Sequence, residues 1–264
     1  MLTAQTGKLS VVISFILFCL VYSTNAQTKK TVTDKGTWSF TQYAQNIIKV
    51  SFRPLQKDYH TNENISDAVI AKPMRLTIPV DVNGNLAIIG NTKLVLKSPG
   101  RIGDFFSFKF GLREKEKIFG GGERALPLNR RGYRFNLFNN PWYGYSEGAD
   151  NLNYSVPFFT SSNGYGLFFD NASRGFADIG KTNSDIFEVG FVSGELNVYV
   201  ILGKDYKEIL AGYHHLTGTQ PLPPRWALGN FMSRFGYSSE AQVKDIAAKM
   251  KAAHIPVDAV IFDL

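Results

Sequence analysis

The chain has 264 residues, and a hydrophobic content of 44% is typical of a globular protein with a sizeable core. A single cysteine excludes a disulfide-bonded scaffold. The net charge of +7 is spread along the chain, and its densest cluster comprises Arg124, Arg130, Arg131 and Arg134. Charge alone leaves a nucleic-acid surface open, but no nucleic-acid motif accompanies the cluster, so we expect no nucleic-acid partner.

Residues 1–26 have the pattern of a secretory signal peptide. Lys8 supplies the positive charge, Val11–Tyr22 the apolar segment, and Thr24-Asn25-Ala26 a small-residue cleavage site. The apolar run is short for a membrane span, so we expect no stable membrane anchor, with an uncleaved anchor as the alternative. The only cysteine, Cys19, falls in this leader. An exported chain without cysteine favours a secreted or periplasmic, bacterial protein.

From residue 27 to residue 222 the pattern is that of a β-sandwich built from short strands. Asn83-Gly84, between two apolar runs, predicts a hairpin turn. The predicted strands are Asn46–Phe52, Leu76–Val80, Leu86–Ile89, Lys93–Lys97, Phe105–Phe110, Tyr154–Thr160, Gly166–Asp170 and Glu195–Leu202.

The pattern changes after a predicted helix at Asp205–Leu216, and Pro223-Pro224 marks a domain boundary. Residues 223–264 then read as strand, helix, strand. The runs are Trp226–Met232, a helix that starts at the capping sequence Ser239–Gln242, and Ala259–Phe262. Asp263 follows directly, and the carboxyl end of a parallel strand is where α/β folds place their chemistry.

Four segments of the sequence carry a family resemblance. LTGTQPLPPRWALGNFMSRFGY and IPVDAVIFDL resemble the start of the catalytic barrel of glycoside hydrolase family 31. FGGGERALPLNRRGYRFNLFNN and GYGLFFDNASRGFADIG resemble the N-terminal domain of the same family. The resemblance implies an antiparallel, galactose-mutarotase-like β-sandwich over residues 27–222. It also implies that residues 223–264 form the first strands of an incomplete (β/α)₈ TIM barrel.

The resemblance implies an enzyme that acts on α-glucosidic bonds of oligosaccharides with retention, by hydrolysis or by 4-α-glucosyl transfer. It implies an α-linked oligosaccharide as partner and no cofactor. The family's two catalytic aspartates lie on later barrel strands, so no residue here is assigned as catalytic and we expect the 264-residue chain to be inactive. The alternatives are an α-xylosidase of the same family and a non-catalytic carbohydrate-binding sandwich. The sequence leaves the oligomeric state open.

Two places are candidates for sugar contact. The segment of residues 139–153 combines aromatic rings with carboxylates, and Trp142, Tyr143 and Asp150 are the residues we select from it. An ordinary surface loop whose aromatics pack back onto the sandwich is the alternative. By resemblance Asp263 hydrogen-bonds the sugar in the cleavage subsite and Leu264 lines the pocket. A strand-end aspartate that only caps the following loop is the other reading of Asp263.

Three other features have structural interpretations. Gly120-Gly121-Gly122 belongs to a G-x-G-x-x-A match, but Pro127 argues against the helix that a dinucleotide site needs, so we predict a tight turn. By resemblance Asp258 is structural and Arg234 forms an ion pair inside the barrel mouth. The four histidines show no metal-ligand spacing, so we expect no metal site.

Overall fold

The computed structural model describes residues 28–55, 67–90, 94–140, 144–149 and 152–262. The chain divides into two compact units, Met1–Gly218 and Thr219–Leu264; the predicted boundary lies between residues 222 and 223. The leader predicted at residues 1–26 is outside the described ranges. Within those ranges no helix has the length and apolar character needed to cross a membrane.

The first unit is a sandwich of two seven-stranded sheets, as predicted. Its strands are β1 Lys29–Val32, β2 Gly36–Ala44, β3 Ile47–Pro54, β4 Val80–Asn83, β5 Leu86–Ile89, β6 Leu94–Ile102, β7 Phe105–Gly111, β8 Ile118–Gly120, β9 Tyr133–Leu137, β10 Phe158–Ser161, β11 Tyr165–Phe168, β12 Gly175–Ile179, β13 Ile186–Phe191 and β14 Asn197–Leu202. One sheet has the order β1-β2-β3-β14-β11-β10-β8 and the other β4-β5-β6-β7-β13-β12-β9. All pairings within these two sheets are antiparallel.

The core between the sheets is dominated by phenylalanine. Alternate residues of β2, including Trp38 and Phe40, are fully buried, as the two-residue period of a strand requires. Rings from both sheets meet in edge-on contacts, for example Phe159 with Phe187 at 5.1 Å between centroids. Such rings bury large apolar areas, so phenylalanine side chains from the two sheets supply much of the core.

A helix covers the outer face of the first sheet. This helix, α1 (Tyr206–Thr217), begins at Asp205, whose carboxylate accepts a hydrogen bond from the amide of Glu208. Its buried Ile209 and Leu216 pack in a second cluster with Ile47 and Ile201 of the sheet. The strand β14 is therefore covered on both faces, which is why all but its last residue are buried.

The predicted strand at Leu76–Val80 is wrong except for its last residue, which begins β4. A buried side chain replaces the strand ladder there. Gln42 lies at a bulge in β2, and its Oε1 accepts hydrogen bonds from the amides of Thr77 at 2.5 Å and Ile78 at 3.0 Å. Its Nε2 donates to the carbonyl of Ala44 at 2.8 Å. The segment is thus held by a carboxamide rather than by a neighbouring strand.

The second unit is a β-α-β segment. A 3₁₀ turn at Arg225–Leu228 precedes β15 (Phe231–Arg234), so the strand predicted at Trp226–Met232 is wrong except for its last two residues. The helix α2 (Glu240–Ala252) follows, and β16 (Ala259–Phe262) pairs with β15 in parallel. Parallel pairing through a crossover helix is the repeating element of a (β/α)₈ barrel.

The ends of α2 follow from local chemistry. Ser239 Oγ accepts a hydrogen bond from the amide of Gln242, as the predicted capping sequence requires. The Gln242 side chain reaches back to the amide of Ser238 rather than to that of Ser239. At the other end the amides of His254 and Ile255 donate to Lys251 and Met250, and His254 has the left-handed φ of 56°. This is a Schellman ending with histidine in place of the usual glycine.

An ion pair between a buried aspartate and a partly exposed arginine links two neighbouring strands of the second sheet. Asp178 of β12 accepts hydrogen bonds from the amides of Lys181 and Thr182, from Thr182 Oγ1 at 2.6 Å, and from Arg134 Nη1 at 3.3 Å. Burial acts to raise the pKa of Asp178, but these hydrogen bonds outweigh it and hold the pKa below its ordinary value.

We expect Asp178→Asn to reduce the free energy of unfolding of the chain at neutral pH by about 1–3 kcal/mol, because charge-assisted hydrogen bonds are lost. Since the folded pKa is depressed, this stabilisation is present above the ordinary carboxyl pKa and is lost as the pH falls through the folded value. Urea titrations at a series of pH values should show the gap from wild type closing in acid. Asp104→Asn, at an exposed turn, is the control. A gap that stays constant with pH contradicts this account.

Candidate functional site

The five side chains selected from the sequence are not among the residues that the structure describes. They are Trp142, Tyr143, Asp150, Asp263 and Leu264. The structure does describe their neighbours on each side of the first three and the strand that leads to the last two. The candidate site is therefore built from these neighbours, separately in each unit.

In the second unit the carboxyl ends of two parallel strands carry a polar and aromatic group. Arg234 ends β15 and lies directly opposite Phe262, which ends β16. The Arg234 guanidinium lies 5.4 Å from the centre of the Tyr237 ring, and Tyr237 meets Phe262 edge-on at 5.6 Å. Asp263 follows Phe262 in sequence and lies outside the described residues.

The predicted ion pair of Arg234 has no partner among the described residues, where its contact is the Tyr237 ring. A guanidinium over an aromatic face is a favourable arrangement that keeps the donors of the fork available. The Tyr237 hydroxyl is enclosed and has no hydrogen-bond partner in the described part of the chain. The carboxyl end of β15 and the turn after it therefore hold hydrogen-bond donors that have no acceptor among the described residues.

Asp258 has the structural role that the sequence suggested. Its Oδ2 accepts a hydrogen bond from the amide of Asn230 at 2.9 Å, and Asn230 Nδ2 donates to the carbonyl of Pro256 at 2.7 Å. A Cβ on Gly229 would lie 2.1 Å from Asp258 Oδ2, so only glycine lets the two strand starts come this close. These contacts fix the register of β15 against β16.

In the first unit the three glycines form a tight turn against strand β10, as predicted. Gly120, Gly121 and Gly122 all have φ values between 84° and 108°, which favour glycine. A Cβ on Gly120 would lie 2.2 Å from the carbonyl oxygen of Phe158, and one on Gly122 would lie 2.3 Å from that of Tyr154. The turn is therefore a place of close backbone approach, and no helix follows it.

Arg124, just after this turn, forms hydrogen bonds with residues on both sides of the segment of residues 139–153. Its Nη2 donates to the carbonyl of Asn136 at 2.7 Å and to Ser155 Oγ at 2.9 Å, and its Nη1 donates to the carbonyl of Tyr154 at 3.2 Å. The guanidinium also lies 4.9 Å from the centre of the Phe135 ring. One side chain thus ties the strand that leads into the segment to the stretch that leads out of it.

The other arginines of the cluster are also engaged internally. Buried Arg130 donates to the carbonyls of Gly120, Leu126 and Pro127. Arg131 donates to three carbonyls, and Arg134 pairs with Asp178. These N–H donors are already bonded to protein carbonyls or to Asp178, so they are not free to bind phosphates. This argues against the nucleic-acid surface that charge alone allowed.

The described part of the segment, residues 144–149, is exposed. The Tyr145 side chain is 54% exposed and Glu147 is exposed, while the amide of Gly148 donates to the carbonyl of Ala125 at 2.7 Å. The tyrosine therefore does not pack back onto the sandwich as in an ordinary surface loop. The Tyr145 ring and the Glu147 carboxylate are therefore exposed to solvent, on a stretch whose backbone is hydrogen-bonded to Ala125.

No group of three or more His, Cys, Asp or Glu side chains in the described ranges is arranged to hold a metal ion.

The features that the sequence did not predict are the internal roles of Gln42, Arg124 and Arg130. An arginine in a stretch between Gly and Pro residues, as in residues 120–127, is the signal that could have indicated a guanidinium bound to loop carbonyls.

Two family models match the chain. The model described as the glycosyl hydrolase 31 N-terminal galactose mutarotase-like domain matches residues 13–178. The model of the family 31 TIM-barrel domain matches residues 220–264. The first model covers most of the first unit and the second model covers nearly all of the second unit.

Similar proteins include α-glucosidase 2 of Bacillus thermoamyloliquefaciens, at 28% identity over 88% of this chain and 32% of that protein. The α-xylosidase XylQ of Lactiplantibacillus pentosus is 27% identical over 86% of this chain and 33% of its own length. A solved family 31 dextranase from Flavobacterium johnsoniae, complexed with glucose, matches with a TM-score of 0.74 and 26% identity over 90% of this chain and 33% of its own. The chain therefore spans about a third of the length of these relatives.

We expect Arg124→Lys to lower the free energy of unfolding by about 1–3 kcal/mol, because an ammonium cannot replace a fork that serves several oxygens at once. Limited proteolysis should then cut within residues 139–153 faster than in the wild type. Arg53→Lys, on the exposed side of β3, is the matched control and should change neither quantity. Unchanged cleavage in the Arg124 variant would show that the segment is held by other contacts.

Proposed function

The chain belongs to glycoside hydrolase family 31, and we propose that its protein acts on α-glucosidic bonds of oligosaccharides by a retaining mechanism. The observation that carries the proposal is the β15–α2–β16 unit, which matches the family's barrel model and ends at Phe262, directly before Asp263 in sequence. The α-glucosidase and dextranase relatives support the choice of an α-glucosidic bond.

In a retaining reaction one carboxylate attacks the anomeric carbon while a carboxylic acid protonates the departing oxygen. Water or a sugar hydroxyl then takes the glycosyl group from the enzyme. The two carboxyl groups stand about 5–5.5 Å apart. The resemblance places both on later barrel strands, so we propose that the 264-residue chain alone does not turn over substrate.

Asp263 is proposed to bind sugar hydroxyls in the cleavage subsite, with Leu264 as an apolar neighbour. The exposed stretch of residues 144–149, with Trp142, Tyr143 and Asp150 in the flanking positions, is proposed to contact the sugar beyond the bond that breaks. Choice of water or sugar as acceptor then depends on this stretch. The leader pattern of residues 1–26 supports a reaction outside the cytoplasm.

An α-xylosidase is the second candidate function, because XylQ resembles the chain about as closely as the α-glucosidase does. The two differ in the hydroxymethyl group of the sugar. A carbohydrate-binding sandwich without catalysis is less well supported, because the barrel segment folds with its own register contacts.

We expect the protein from the complete reading frame to hydrolyse an aryl α-glucoside faster than an aryl α-xyloside, with the α-anomer released first. The initial anomer is read by NMR, and an initial β-anomer would contradict retention. A reversed sugar preference would favour the xylosidase. The 264-residue chain should show no turnover of either substrate.

We expect Asp263→Asn in the same full-length protein to lower kcat/KM by about 10- to 100-fold, since a hydrogen bond from a sugar hydroxyl to a charged acceptor is lost. Asp245→Asn, which removes an exposed i,i+4 ion pair in α2, is the matched control. Unchanged kinetics would show that Asp263 only caps its loop. A complete loss that added azide restores would instead identify Asp263 as a nucleophile.

A further inference from the structure

A cleft of about 420 Å³ opens at one end of the sandwich, between the ends of strands β9, β10, β12 and β13. Buried Leu137 and Phe191 lie at its base. Phe138 lines it with a ring whose side chain is 47% exposed, and Asn139 and Arg174 are exposed beside it. The volume falls within the range of small-ligand pockets, roughly 300–1,000 Å³.

The walls of the cleft are held in place by hydrogen bonds. On one side Asn139 Oδ1 accepts from the amide of Ser155 at 2.7 Å. On the other, Asn171 Nδ2 donates to the carbonyl of Ser193 at 2.9 Å, and Asn171 Oδ1 accepts from the amide of Ser173 at 2.8 Å. A ligand would therefore meet side chains that are already ordered, which reduces the entropic cost of binding.

Arg174 differs from the arginines of the cluster described above. Its side chain forms no hydrogen bond or ion pair with a described residue, and its guanidinium lies 5.8 Å from the centre of the Phe105 ring. Asn139 Nδ2 likewise donates to no described group. Two sets of N–H donors therefore face the cleft without internal acceptors, beside an exposed aromatic ring.

We propose that this cleft binds a glucosyl unit of an α-linked oligosaccharide. A pyranose has one apolar face, which suits the Phe138 ring, and a rim of hydroxyls, which suits the donors of Arg174 and Asn139. Arg174 is the one charged side chain among the described lining residues, so the cleft lacks the second cation that would favour a phosphate or a polyanion. The choice of an α-glucan among sugars rests on the proposed function.

The test is isothermal titration of the purified 264-residue chain with isomaltotriose and with maltotriose. We expect each variant to raise Kd about tenfold: Arg174→Gln because a charge-assisted hydrogen bond is lost, and Phe138→Ala because an apolar ring contact is lost. Arg53→Gln is the matched control, because Arg53 is an exposed sandwich arginine outside the cleft lining. Thermal unfolding should be unchanged in all three, since these side chains are largely exposed.

No binding by the wild-type chain, or the same Kd in both cleft variants as in the wild type, overturns the proposal. Binding of inorganic phosphate in preference to either trisaccharide also overturns it. The readout is independent of catalysis. Turnover by the full-length protein without binding in this cleft would reject the cleft alone, whereas cleft binding without turnover would reject the proposed reaction alone.

Discussion

The sandwich depends on satisfying the carbonyl groups of a long stretch with little regular structure. Among the described residues between β8 and β10 only β9 is a strand, so most of their backbone groups have no ladder partner, and burying an unpaired carbonyl costs free energy. Arg124 and Arg130 solve this problem by donating from one planar fork to several oxygens. The same contacts withdraw these cations from the surface, so a feature that resembles a basic patch in sequence is an internal scaffold.

These arginine contacts also position the residues on either side of the segment 139–153 and one wall of the cleft that Phe138 lines. The glycine turn brings Arg124 close enough to reach both arms of the segment of residues 139–153, because a side chain on Gly122 would collide with the carbonyl of Tyr154. Ser155, which Arg124 contacts, is also a wall of the cleft that Phe138 lines. Segment and cleft are therefore coupled through one guanidinium, and rigid support of this kind is what a binding loop requires.

The sequence predicts the parts of the fold that rest on local pattern. The hairpin between β4 and β5, the alternation in β7 and the apolar run of β16 are predicted correctly because each depends on a few neighbouring residues, although the hairpin turn is Gly84-Asn85 rather than Asn83-Gly84. Six strands have no counterpart among the predicted ones, namely β1, β2, β8, β9, β12 and β13. Three of these have six residues or fewer and lack a regular alternation of apolar and polar residues, namely β8, β12 and β13, and β9 has only five residues. The 3₁₀ turn at Arg225–Leu228 is read as strand because an apolar run alone does not distinguish the two. The roles of Gln42 and Arg124 depend on partners distant in sequence, which no local pattern contains.

Discrimination between glucose and xylose is a matter of site detail rather than of fold. The chain is 28% identical to an α-glucosidase and 27% identical to an α-xylosidase, so the shared architecture is compatible with either sugar. A pocket that hydrogen-bonds the extra hydroxymethyl group rejects the smaller sugar strongly, because its polar groups are then left unpaired. A pocket that closes over the smaller sugar excludes the larger by contact. Specificity therefore resides in whether the groups that face that carbon form hydrogen bonds or are apolar. Of the residues proposed to bind the sugar, Asp263 is a hydrogen-bond acceptor and Leu264 is apolar.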